Sequence, residues 1–264
     1  MSDSTANLVS LTDLGQGVGL LKLNHPEARN SLSVAMLDAL EKRLEEVAAL
    51  DSVRVVILAA EGHVFCAGHN LKEVKGQFDD HQAQLDLFNQ CSRVMQQLVR
   101  LPKPVIAQVA GVATAAGCQL VASCDLAVAS DKARFATPGV NIGLFCSTPM
   151  VALTRNVSRK AAMEMLLTGE MISAQKAEQL GLVNQVVGEE ELEDSTLALA
   201  KLIASKSPKT LAIGKEAFYR QLEMPLSEAY AYTSEVMAKN LQTLDAQEGI
   251  CAFVEKRPPQ WRGE

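Results

Sequence analysis

The chain has 264 residues, 48% hydrophobic and 21% charged. That is enough apolar material for one large domain, or one domain with a small appendage, and it argues against global disorder. A formal net charge of -6 argues against a general binder of nucleic acid or anionic membrane.

The opening stretch "MSDSTANLVSLTDLGQG" has no basic and apolar leader and no Arg-rich amphipathic pattern. No apolar run reaches the roughly 18 residues that span a bilayer. Cys66, Cys91, Cys118, Cys124, Cys146 and Cys251 are scattered, with no CxxC and no His at metal-ligand spacing from a Cys pair. Free thiols in a reducing compartment, no metal, and a cytoplasmic location are the expectation.

In chain order, "GVGLLKLNHP" reads as a strand ending at proline. "NSLSVAMLDALEKRLEEVAAL" has Met36, Leu37, Leu40, Leu44 and Val47 at helical spacing, with Asn30 or Ser31 as N-cap. "VRVVILAAEG" is a continuous apolar run of strand length, so a strand buried on both faces is expected. "FCAGHNLKEV" reads as a loop, and 83–100 as a helix with Leu85, Phe88, Met95 and Leu98 on its apolar side. "KPVIAQVAG" predicts a second buried strand, "GVATAAG" a loop, and the segment through Cys124 a short helix. "LAVAS" and "ARFAT" read as short strands. Past Pro149 helices dominate, the last expected over 226–247. The pattern is α/β: strand–helix alternation followed by a helical tail.

Both glycine loops fall after apolar strands, where α/β folds place ligands. The first offers backbone N–H groups around Gly68 and His69. The second offers those of Ala116 and Gly117 at a helix start, where donors are unsatisfied and the dipole is positive. Two convergent donors make an oxyanion hole for an acyl oxygen, and the small side chains would let a carbonyl reach bare backbone. Gly- and Ala-rich strand–helix turns also occur without any ligand, so spacing alone leaves both readings open.

Four motifs then coincide in order. "FCAGHNLKE" resembles the FxAGxDLKE motif of the enoyl-CoA hydratase/isomerase, or crotonase, superfamily. "KPVIAQVAGVATAAGCQLVASCDLAVASDKARFATPGVNIGL" resembles its central block, "AMEMLLTGEMISAQKAEQLGLVNQVV" its third signature, and "AFVEKRPPQW" its C-terminal end. "AGH", "ATAAGCQLVASCD" and "FATPGVNIGLFCSTP" resemble the subgroup of enoyl-CoA hydratase domain-containing protein 3. The resemblance covers nearly the whole chain. It implies a spiral of ββα units over 1–200 and a C-terminal helical region over 201–264 that forms trimers or hexamers. It also implies acyl-CoA thioester ligands, with coenzyme A entering as part of the substrate and no separate cofactor.

Carried over by position, His69 and Ala116 would be the backbone oxyanion donors. Ala67 would lie by the adenine, Arg29 and Lys72 near the CoA phosphates, and Phe253 and Lys256 would complete a CoA site of a neighbouring subunit. The two glutamates that hydratases of this family use for proton transfer fall at Gln119 and Gly139 here, and "GLFCSTP" supplies no aspartate in their stead. Gln119 can orient a water and cannot take its proton. Losing a positioned general base costs about 10²–10⁴ in rate.

Asn141 and Cys146 sit where the family's pocket wall would be; Cys146 has no sequence-adjacent His to make it a nucleophile. The His69 side chain is open to a catalytic or a ligand-shaping role. Two readings follow: a hydratase- or isomerase-like acyl-CoA enzyme, or a non-catalytic acyl-CoA binder. "GVATAAG" lacks the middle glycine of the dinucleotide fingerprint, and no GxSxG is present, which disfavours an oxidoreductase and a serine hydrolase.

Overall fold

The computed structural model describes residues 8–264. Strands β1 (Val9–Asp13) and β2 (Val18–Leu23) form an antiparallel hairpin, with Val9 opposite Leu23. Helix α1 (Val34–Ala49) leads to β3 (Val55–Ala60), which pairs parallel with β2. The short β4 (Val64–Cys66) precedes α2 (Leu71–Gly76) and the long α3 (His81–Arg100). β5 (Val105–Val109) and β6 (Val112–Thr114) run into α4 (Ala116–Ser123). β7 (Leu126–Ser130) and β8 (Arg134–Ala136) follow. Then come α5 (Pro149–Leu153), α6 (Arg159–Thr168), β9 (Ile172–Ser173), α7 (Ala174–Leu180) and β10 (Gln185–Val187). Helices α8 (Leu192–Ala204), α9 (Pro208–Gln221), α10 (Leu226–Leu241) and α11 (Leu244–Glu255) complete the chain.

The strands sort into two sheets, ordered β1-β2-β3-β5-β7-β10 and β4-β6-β8-β9. Each of β3, β5 and β7 in the large sheet is followed by a short strand in the small one. This repeated ββ step is the expected spiral. Residues of β3 alternate between cores: Val56 and Leu58 face the core formed with α1, α3 and α4, while Val55 and Ile57 pack with Leu192, Ala200 and Ala204 of α8. The strand is covered on both sides, as its continuous apolar run predicts.

Several boundaries differ from the sequence reading. The N-cap of α1 is Ser33, which accepts the Met36 N–H at 3.1 Å. Asn30 is used elsewhere. Its side chain accepts the His25 N–H and donates to the carbonyls of Glu61 and Val64, clipping three segments together. In α3 the buried apolar stripe is Leu87, Cys91, Val94, Met95 and Leu98, so Met95 and Leu98 lie on it as expected and Leu85 is exposed. "FCAGHNLKEV" holds β4 and the start of α2, and "GVATAAG" holds β6. The expected last helix is two, because Thr243 accepts the Ala246 N–H and starts a new one. β1, β9 and β10 are too short, or too polar, to stand out by alternation. Among the described residues, no helix is long and apolar enough to cross a membrane, and no three metal-ligating side chains cluster.

Candidate active site

In the small sheet, β4, β6 and β8 run parallel, pairing Cys66 with Ala113 and Thr114 with Ala136. Three loops therefore leave the same edge: Ala67–Asn70, Ala115–Ala116 and Thr137–Gly139. The large-sheet strands feed them in register, so residues far apart in sequence arrive side by side.

The first loop is clamped to the segment before α1. Ala67 N–H donates to the Arg29 carbonyl at 3.1 Å, and Leu32 N–H donates to the Gly68 carbonyl at 2.8 Å. These bonds consume the neighbours and leave His69 N–H with no acceptor among the described residues. In the second loop, Ala115 N–H donates to the Ala136 carbonyl at 2.9 Å, while Ala116 N–H, the first of α4, is likewise unpaired. No side chain caps α4. Ala115 stands at φ 51°, ψ -118°, a conformation L residues rarely adopt and one that costs about 1–3 kcal/mol.

Gly68, at φ 91°, brings the loops together. A Cβ there would lie 2.9 Å from the Ala115 Cβ and 3.3 Å from the Ala116 nitrogen. Gly117 secures the other side, since its Cβ would lie 2.1 Å from the Cys66 carbonyl oxygen. No larger residue would let α4 seat on β4. α4 is buried throughout and has no charged side chain, so its N-terminal partial charge is unneutralised.

Two neutral side chains of α4 and the third loop are incompletely partnered among the described residues. Gln119 is 4% exposed, and its Oε1 is buried with no hydrogen-bond partner among the described residues. Thr137 is buried, and its hydroxyl is also unpartnered. Sequence reasoning missed Thr137, whose only signal was its place one residue before Pro138-Gly139. Gly139 is crowded. Its N–H donates to Cys146 Sγ at 3.3 Å, and a Cβ would lie 2.7 Å from the Leu144 carbonyl oxygen. Cys146 is buried, and burial pushes its thiol up, as it does for Cys66 and Cys118, both raised to about 12. These thiols are not nucleophiles at neutral pH.

The remaining expected residues are placed as follows. Arg29 is exposed, in a left-handed turn at φ 53°. Ala67 is half-buried, and Lys72 is exposed on the first turn of α2. Asn141 is exposed beside Gly169. Phe253 and Lys256 lie at the end of α11, Phe253 at 85% exposure, and the three loops do not gather them. Glu73 is half-buried and accepts the Val34 N–H at 3.1 Å, tying α2 to α1.

Residues 13–264 match the family model described as enoyl-CoA hydratase/isomerase. Enoyl-CoA hydratase domain-containing protein 3 of Xenopus laevis is 52% identical, the match covering 98% of this chain and 89% of that one. A solved enoyl-CoA hydratase from Mycobacterium smegmatis superimposes with a TM-score of 0.94 at 52% identity, covering 96% of this chain and 98% of the other. The human enoyl-CoA hydratase domain-containing protein 3 superimposes with a TM-score of 0.92 at 51% identity, covering 96% and 100%.

These relatives correct one expectation. Those from Xenopus laevis, Homo sapiens and Danio rerio are named mitochondrial, which points away from the cytoplasm. Scattered unpaired thiols carry no address. By sequence and by fold, the chain belongs to the enoyl-CoA hydratase/isomerase, or crotonase, family.

Proposed function

We propose that this protein binds an acyl-CoA thioester and polarises its carbonyl between the His69 and Ala116 N–H groups. The observation that carries this reading is the pair of unpaired backbone donors, drawn together where Gly68 packs on Ala115–Ala116. An oxyanion donor of this kind contributes about 10²–10³ in rate, because it meets charge that develops on the oxygen as an enolate forms. The α4 dipole adds to that stabilisation. Coenzyme A belongs to the substrate. Arg29 and Lys72 would meet its phosphates and Ala67 its adenine, with Phe253 and Lys256 supplied by a neighbouring subunit of a trimer or hexamer. The exposed Leu226, Tyr230, Phe253 and Val254 on α10 and α11, each at least 69% accessible, support a covered surface there.

The reaction is not two-glutamate hydration. Gln119 has no accessible pKa, and the space beside Gly139 is taken by Leu144 and Cys146. That closed space also favours a second reading, an acyl-CoA binder without turnover. Purified protein should gain thermal stability with butyryl-CoA, and no shift with any CoA thioester would refute both readings. Hydration of crotonyl-CoA should be weak or absent, and robust hydration would contradict the account of Gln119 and Gly139. Turnover of any enoyl-CoA, against none, separates enzyme from binder.

A further inference from the structure

The loops that form the site hold a single titratable group suited to proton transfer near neutral pH. Gln119 and Thr137 do not ionise there, and the cysteine thiols are pushed up by burial. The remaining group is the His69 imidazole. Its Nδ1 lies 3.3 Å from the Leu32 carbonyl oxygen. A carbonyl can only accept, so Nδ1 carries the proton and Nε2 presents its lone pair. That Nε2 is buried and has no hydrogen-bond partner among the described residues. Leu32 also donates to the Gly68 carbonyl, so one residue fixes both the glycine of the hole and the imidazole beside it. The ring stands edge-on to Phe88 of α3 at 5.3 Å and 87°, and α3 packs in turn on α4.

We propose that His69 Nε2 is the proton acceptor of this site, taking a proton from the carbon next to the thioester carbonyl. This rests on the acyl-CoA reading above. The C–H bond breaks, and its electron pair forms the carbon–carbon double bond of the enolate. The carbonyl π pair moves to the oxygen, held by the His69 and Ala116 N–H groups. The proton goes to Nε2, giving an imidazolium whose Nδ1–H stays on Leu32. The reverse step returns a proton to carbon, so no co-reactant is consumed.

The neighbours fit this role. Burial draws the His69 pKa below its ordinary 6.5, against the Leu32 hydrogen bond and the Glu73 charge, which raise it. Burial thus favours the neutral imidazole, the form able to accept a proton. Glu73 on α2 is the charged group acting on it; α3 turns Phe88 toward it, and the loop before α1 turns Leu32. Glu73 is itself held by the Val34 N–H.

The test is exchange of the α-protons of butyryl-CoA in D2O, followed by proton NMR with the full chain. A saturated thioester can enolise and cannot be hydrated, so the readout isolates this step. The wild-type protein should exchange deuterium in, with a rate that rises with pH through a midpoint below 6.5 and is level above it. His69→Gln should keep the thermal shift with butyryl-CoA and lose about 10²–10⁴ in exchange. Exchange by His69→Gln at the wild-type rate would overturn the proposal. So would a wild-type protein that binds butyryl-CoA and exchanges at no pH. Absence of butyryl-CoA binding by the wild type would overturn the thioester reading itself. If His69→Gln does not fold, the wild-type pH profile decides.

Discussion

Two buried polar regions of this molecule are finished in opposite ways. Where α9 meets the large sheet, Lys215 Nζ donates to Asp125 Oδ2 at 2.7 Å and to the carbonyls of Leu98 and Lys103. Asp125 also accepts from Tyr219 and from the Val105 N–H. Every donor of the ammonium is used. Near the edge of the small sheet, His69 Nε2, Gln119 Oε1, the Thr137 hydroxyl and two backbone N–H groups have no partner among the described residues. Burying an unpaired polar group costs about 1–3 kcal/mol, so such a set persists when something else rewards it. The first region is a structural lock. The second leaves its polar groups open, as the thioester site proposed above requires.

Changes that leave one region half-paired and relieve the other should therefore differ in size and in sign. Asp125→Ala strands the Lys215 ammonium, which is only 7% exposed, and should cost about 3–5 kcal/mol by urea denaturation. A loss below about 1 kcal/mol would show that the lock is not one. Gly139→Ala places a methyl 2.7 Å from the Leu144 oxygen and 2.9 Å from Cys146 Sγ, and should cost about 1–3 kcal/mol in the same assay. If Gly139→Ala is neutral, the space counted here as closed is open to a side chain.

Gln119→Leu removes an orphaned acceptor from the interior. Its stability should be unchanged or higher by up to about 1 kcal/mol, while affinity for CoA thioesters falls. A large destabilisation would place Gln119 with the lock. The smallest effect expected is a pH dependence. The folded-state pKa of His69 is lowered, so the unfolded chain takes up the proton first. Its contribution is full above the ordinary 6.5 and is lost as pH falls through that value toward the folded pKa. Comparing wild type with His69→Gln at pH 5 and pH 8 isolates it, and equal pH slopes would remove the claim that burial acts on this ring.

The sequence carried the two buried strands, the α4 segment and the glycine loops, because long apolar runs and small-residue turns have strong local signatures. His69 and Ala116, the donors proposed above, were legible as positions of a motif. What stayed hidden was anything set by packing between distant segments. Asn30 reads as a helix cap, yet its side chain bridges to Glu61 and Val64. Gly139 reads as a lost carboxylate, and only the fold reveals the Cys146 sulfur in its place. The His69 tautomer depends on Leu32, 37 residues away in sequence. The broken terminal helix turned on one hydroxyl, Thr243, within an otherwise helical pattern.

The claim beneath all of this is that two backbone N–H groups receive a thioester oxygen. Raman difference spectroscopy of a bound unsaturated thioester, such as cinnamoyl-CoA, reads that contact directly. In the wild-type protein the carbonyl stretch should move to lower frequency than in solution. Gly68→Ala, whose methyl would press on Ala115 at 2.9 Å, should remove most of that shift. A tightly bound thioester whose carbonyl stretch matches the free ligand would contradict the account.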